Sequence, residues 1–190
     1  MRSIEALNDE LKKLVLEPKL DKMTLFASLI TEYLEEKGLR PIIVGGLSVE
    51  LYSRGEYSTS DIDFITPGYD IVGELLEKLG FEKIGKNWYH RGLEIAVEIP
   101  SNHLEGSQEK VIKFKLENDK HVYVIGAEDI IVHRLESALA SFPENPEYSE
   151  DYEWARRLFL IHRDRLDIDY MKKQEAWVTR LLDRWTHDKH

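Results

Sequence analysis

The segment Asp61-Ile62-Asp63-Phe64-Ile65 constrains this 190-residue chain more than any other. Its alternation is that of a strand, in which side chains two apart project from one face. Asp61 and Asp63 therefore stand side by side, while Ile62 and Phe64 point the other way into a core. Two adjacent carboxylates repel each other unless a cation neutralises them. Hard oxygen ligands of this kind suit Mg²⁺, which takes one or two carboxylates together with substrate phosphates. The bland reading is a solvated strand end, and a lone D-x-D carries no more than that. The chain holds its own control in Asp167-Ile168-Asp169, where no glycine pair lies upstream and Asp169 reads as the cap of a following helix.

Around this strand the hydrophobic spacing predicts helices, a mixed α/β centre, and helices again. A helix over 3–16 is ended by Pro18. A second, with Asp21 as N-cap, runs to Gly38. Residues 41–44 form a short buried strand, a helical segment follows Gly45-Gly46, and 61–65 is the acidic strand. A helix over 71–79 leads to β-patterned segments at 81–84, 87–91, 93–99, 111–116 and 121–125. Helices follow at 127–140, 150–165 and 169–185, with the loop-rich stretch 141–149 between the first two. The expected organisation is N-terminal helices at 1–38, an α/β core at 39–125 and a helical region at 126–190.

Composition narrows the chemistry. Hydrophobic side chains make up 42% and charged ones 33%, so the chain can bury a sizeable core. It contains no cysteine, which removes disulfides, thiol nucleophiles and thiolate metal sites together. None of its seven histidines forms an H-E-x-x-H pair. A net charge of −10 argues against non-specific nucleic-acid binding but not against a nucleotide whose charge a metal offsets. No apolar run is long enough to span a membrane, and the start lacks the apolar region of a signal peptide, so a cytoplasmic location is expected. The tryptophans near the C-terminus, Trp154, Trp177 and Trp185, read as helix packing rather than as a base-stacking platform.

The acidic strand gains weight from what precedes it. Val44-Gly45-Gly46-Leu47-Ser48 places a glycine turn between a strand and a helix start, where backbone N–H groups can approach a phosphate and the Ser48 hydroxyl can add a donor. Thr59-Ser60-Asp61-Ile62-Asp63-Phe64 follows, with Asp61 fifteen positions after Gly46. This ordered set resembles the polymerase-β-like nucleotidyltransferase superfamily. It looks most like the small stand-alone bacterial and archaeal members related to abortive-infection nucleotidyltransferase toxins and to minimal nucleotidyltransferases.

The resemblance spans about residues 41–140 and implies a mixed β-sheet core flanked by helices. It implies that Gly45, Gly46 and Ser48 hold phosphates, and that Asp61 and Asp63 bind Mg²⁺ or Mn²⁺. Glu98 is implied as the third carboxylate, with Glu94 on the same strand face as the fallback. Arg134 stands where these proteins commonly carry a lysine facing the triphosphate. The implied reaction moves a nucleoside monophosphate from an NTP to a hydroxyl of an RNA, protein or small molecule, with a cognate toxin or antitoxin as partner. The alternative is a non-catalytic nucleotide-binding or partner-binding module on the same fold.

Overall fold

Ser3 opens the first helix by accepting the Ala6 N–H on its hydroxyl at 3.2 Å, which satisfies one free donor of the first turn. The computed structural model describes residues 3–187 apart from 118 and 175. Helix α1 (Ile4–Leu14) buries Leu7, Leu11 and Leu14 along one stripe. Helix α2 (Lys19–Glu35) starts earlier than its sequence suggests: Pro18 is the N-cap and Asp21 lies in the first turn. Proline lacks an N–H to satisfy and its φ suits a helix entrance, so it takes the boundary, while Asp21 remains near the positive end of the helix dipole.

Strand β1 (Ile42–Val44) runs directly into helix α3 (Gly45–Tyr52), and β2 (Asp61–Ile65) is followed by α4 (Tyr69–Lys78). Strands β3 (Glu82–Ile84), β4 (Asn87–His90), β5 (Ile95–Ser101), β6 (Ile112–Lys115) and β7 (His121–Val124) come next. Helices α5 (Ala127–Ser141), α6 (Glu150–His162), α7 (Ile168–Lys172) and α8 (Ala176–His187) complete the described chain. All seven strands join one mixed sheet in the order β3-β4-β5-β2-β1-β7-β6. The pairs β2–β5 and β1–β7 are parallel and the other four are antiparallel.

The alternation expected of β2 is present: Ile62 and Phe64 are fully buried, while Asp61 and Asp63 are only partly so. Ile43, Val97, Val122 and Val124 share their burial, and these side chains join Phe26, Ile30 and Leu34 of α2 in a core that also includes Trp185 of α8. Trp154 and Trp185 are buried, with Trp185 packed 5.3 Å centroid to centroid against Phe159, as packing rather than base stacking requires. No helix among the described residues is long and apolar enough to cross a membrane.

Two sequence expectations change near the ends of elements. The second D-I-D does cap a helix, but through Asp167, whose carboxylate accepts the Tyr170 N–H at 3.0 Å; Asp169 sits in the first turn. The helix expected over 169–185 is two helices, α7 and α8. Strand β5 starts at Ile95, after Glu94 has turned through a left-handed φ of +56°. Glu94 is exposed there and leaves the strand, so alternation no longer places it on the face of Glu98.

Candidate active site

Strand register brings the acidic side chains together. Val44 of β1 pairs with Asp63 of β2, Asp63 with Glu98 of β5, and Glu98 with Asn87 of β4. One row across four strands thus reads Asn87, Glu98, Asp63, Val44, with Asp61 two residues along β2 opposite Ala96. Paired residues in neighbouring strands lie on one face, so the carboxylates of Asp63 and Glu98 project side by side. Burial pushes Asp63 up to about 7, and the neighbouring charges of Asp61 and then Glu98 add to the rise; Lys86 and Arg134 oppose it. Among the described residues no hydrogen bond or salt bridge holds the Asp63 carboxylate.

Gly45 follows Val44 and presses on this row. Its φ is +61°, and a Cβ there would stand 2.0 Å from Asp63 Oδ2. Only glycine lets the start of α3 come so close to the carboxylate. A Cβ on Gly46 would meet Thr59 Oγ1 at 2.6 Å. The N-cap of α3, Val44, makes no side-chain cap hydrogen bond, so the helix begins beside the carboxylate row without a side-chain cap.

Thr59 sets the second carboxylate. Its hydroxyl donates to Asp61 Oδ1, and its backbone N–H donates to Glu50 Oε2 at 3.0 Å. Glu50 lies in α3 and is 4% exposed, so a buried acid on the helix anchors the loop that presents Asp61. Sequence reasoning singled out Thr59 but missed Glu50, because only the packing of α3 against the loop brings the two together.

Ser48 behaves differently from expectation. It is fully buried and its hydroxyl donates to the Gly45 carbonyl at 2.7 Å. Its proton is committed inside α3, where it shapes the glycine turn instead of meeting a phosphate. Changing Ser48 to Ala should cost about 0.5–1.5 kcal/mol of stability, the net value of one such bond. NTP affinity should change by no more than about twofold (~0.4 kcal/mol). Nucleotide titration and thermal melts check this, and a tenfold loss of affinity would return the hydroxyl to the phosphates.

Arg134 lines a cleft of about 340 Å³ that also touches Gly45, Ile65, Pro100 and His133. Its side chain is 17% exposed and pairs with Asp151 at 2.5 Å. The Tyr57 hydroxyl lies 3.4 Å from the guanidinium, which also sits 5.2 Å from the Tyr57 ring centroid. The arginine is therefore held at the cleft by α6 and by the loop before β2, with one fork committed to Asp151. No sequence pattern pointed to Asp151, which follows Arg134 by 17 positions across the loop between α5 and α6.

The donor set suits a hard divalent cation, since Asp61, Asp63 and Glu98 all offer carboxylate oxygens. The charge on Asp63 lacks a directly bonded counter-ion, and the Asn87 Oδ1 at the end of the row is buried without a hydrogen-bond partner. Among the described residues, however, no three His, Cys, Asp or Glu side chains are arranged so that they could hold a metal ion as they stand. Glu98 is instead paired with Lys86 at 2.9 Å, and Asp61 accepts from the Thr59 hydroxyl.

The fold has relatives among solved structures. The solution structure of the antibiotic-resistance factor ANT(2'')-Ia superposes with a TM-score of 0.51 at 15% identity, covering 86% of this chain and 94% of that one. An antigenic nucleotidyltransferase-like protein from Paracoccidioides brasiliensis gives 0.49 at 14% identity, over 78% of this chain and 91% of that one. No curated protein sequence matches the chain. The family model described as a nucleotidyl transferase of unknown function (DUF2204) matches residues 25–124, which include α3, the acidic strand and Glu98. With more than half of its length under that match, the chain belongs to this nucleotidyl transferase family.

Proposed function

We propose that the protein is a Mg²⁺- or Mn²⁺-dependent nucleotidyltransferase that moves a nucleoside monophosphate from an NTP to an acceptor hydroxyl. The observation that carries this reading is the contact between the uncapped start of α3 and the carboxylate row, with Gly45 pressed against Asp63. Phosphate-binding N–H groups and hard-cation ligands then adjoin, as a metal–triphosphate substrate requires. Bound to Asp61, Asp63 and Glu98, a divalent ion would neutralise charge developing on the transferring phosphoryl group.

The chain's own residues do the rest. The first turn of α3 orients the phosphates, and Arg134 adds a fork of donors at the cleft. The acceptor oxygen forms a bond to the α-phosphorus while the α–β bridging P–O bond breaks, and pyrophosphate leaves. Glu98, a partly exposed member of the row, takes the acceptor proton.

Incubation with each α-labelled NTP, Mg²⁺ or Mn²⁺, and total RNA, protein and small-molecule extracts tests the reading. Label should appear on one acceptor pool, and it should be lost with Asp61→Asn. Nucleotide binding without transfer to any pool would instead identify a binding module. Membership of a toxin–antitoxin pair rests on the family resemblance; it predicts growth arrest on expression of the wild type and none with Asp63→Asn.

A further inference from the structure

Lys86 sits at the tip of the β3–β4 hairpin. Ile84 pairs with Asn87, which leaves Gly85-Lys86 as a two-residue loop, and Gly85 takes φ +62° at the first central position as a type II′ turn demands. On its other side β4 pairs with β5, which places Asn87 opposite Glu98, so the turn holds the lysine at the end of the acidic row. Its Nζ lies 2.9 Å from Glu98 Oε1. The two partners differ sharply: the Lys86 side chain is 76% exposed and that of Glu98 only 15%. One end of the pair is a carboxylate fixed in a sheet. The other is an ammonium on a flexible stem in water, and such exposed pairs separate easily. Beside them Asn87 Oδ1 is buried with no donor, an oxygen available to a cation at this end of the row.

The geometry points to Lys86 as a built-in cation that occupies Glu98 when no divalent metal is bound and transfers to the triphosphate when metal and nucleotide enter. This rests on the metal-dependent reading above. A metal arriving alone must displace the ammonium and leave it without a partner. An NTP supplies anionic oxygens to receive it. Nucleotide and metal therefore strengthen each other's binding beyond their direct contact, and the coupling is reciprocal. Lys86 also moderates the repulsion among Asp61, Asp63 and Glu98 in the metal-free protein, since its charge acts on all three.

Calorimetric titration with Mn²⁺, alone and with the α,β-methylene analogues of the four NTPs, tests this on wild type, Lys86→Met, Lys86→Arg and Asp63→Asn. Thermal melts report that each variant is folded. Lys86→Met should bind Mn²⁺ alone ~3-fold more tightly, the scale of one exposed ion pair. The gain in Mn²⁺ affinity on adding nucleotide should shrink by a similar factor, and Lys86→Arg should behave as wild type. If wild type binds Mn²⁺ and Asp63→Asn does not, yet Lys86→Met binds with unchanged or weaker affinity, the lysine's role is overturned and the metal site stands. If neither wild type nor Lys86→Met binds Mn²⁺, the metal-dependent reading falls and takes this inference with it.

Discussion

Asp63→Asn yields a protein that is more stable than wild type above pH 7 and that transfers nucleotide at least ~10²–10³-fold more slowly, the scale of removing one group that stabilises transition-state charge. The stability gain follows from the environment of Asp63. Burial first, and the charges of Asp61 and Glu98 second, raise its carboxyl to about 7. In the unfolded chain an aspartate titrates near ~4. Between those values the folded protein holds a proton that the unfolded chain has released, so stability falls as pH rises through this window. The penalty is complete above pH ~7 and absent below ~4. Asparagine keeps the shape and removes the charge, so the variant should gain ~1–2 kcal/mol at pH 8 and nothing near pH 4.

That gain corresponds to a rise of ~2–8 °C in melting temperature for a chain of this size. Melts of both proteins across pH 4–8 check it. The stabilisation that Mg²⁺ with NTP confers on wild type should shrink in the variant, because ligand binding to the folded state is what produces it. An Asp63 that merely supported the fold would give the opposite pattern: an earlier melt at pH 8 and an undiminished ligand effect.

Gly45→Ala should be among the most damaging single-methyl changes in the molecule. An alanine at φ +61° carries the left-handed penalty of ~1–2 kcal/mol. Its Cβ would also lie 2.0 Å from Asp63 Oδ2 and 2.9 Å from Asp63 Cγ, so either α3 or the acidic strand must move. Overpacking of this kind costs a further ~1–3 kcal/mol, giving ~2–5 kcal/mol in all. Strand β2 is central in the sheet, between β1 and β5, so the movement falls on α3 and opens the gap between its N–H groups and the carboxylates. Nucleotide affinity should drop at least tenfold, read by titration with an NTP and Mg²⁺, with urea melts giving the stability. A variant as stable as wild type would mean that the close approach of Gly45 to Asp63 is not a working contact.

Much of the candidate site is legible in the sequence, because it is built from local signals. Alternation in β2 put Asp61 and Asp63 on one face, and the glycine pair before a helical pattern marked the start of α3. Both depend on residues within a few positions of each other. Boundaries were less secure where two local rules compete. Pro18 could end α1 or open α2, and it opens α2. Glu94 could continue β5, but a left-handed turn precedes the strand, and periodicity carries no information on φ.

The sequence by itself determined the strand chemistry and the order of the first parts, a glycine turn and then paired carboxylates, while the acid on a later strand was implied by the family resemblance. Only the tertiary structure decided which groups meet. Register set Asn87, Glu98, Asp63 and Val44 in one row, and a hairpin turn carried Lys86 onto Glu98. Helix packing drew Glu50 to Thr59 and Asp151 to Arg134, while inside α3 the Ser48 hydroxyl turned onto the Gly45 carbonyl. The reason is physical: side-chain periodicity is a property of one segment, whereas pairing register and ion-pair choice depend on contacts between different segments.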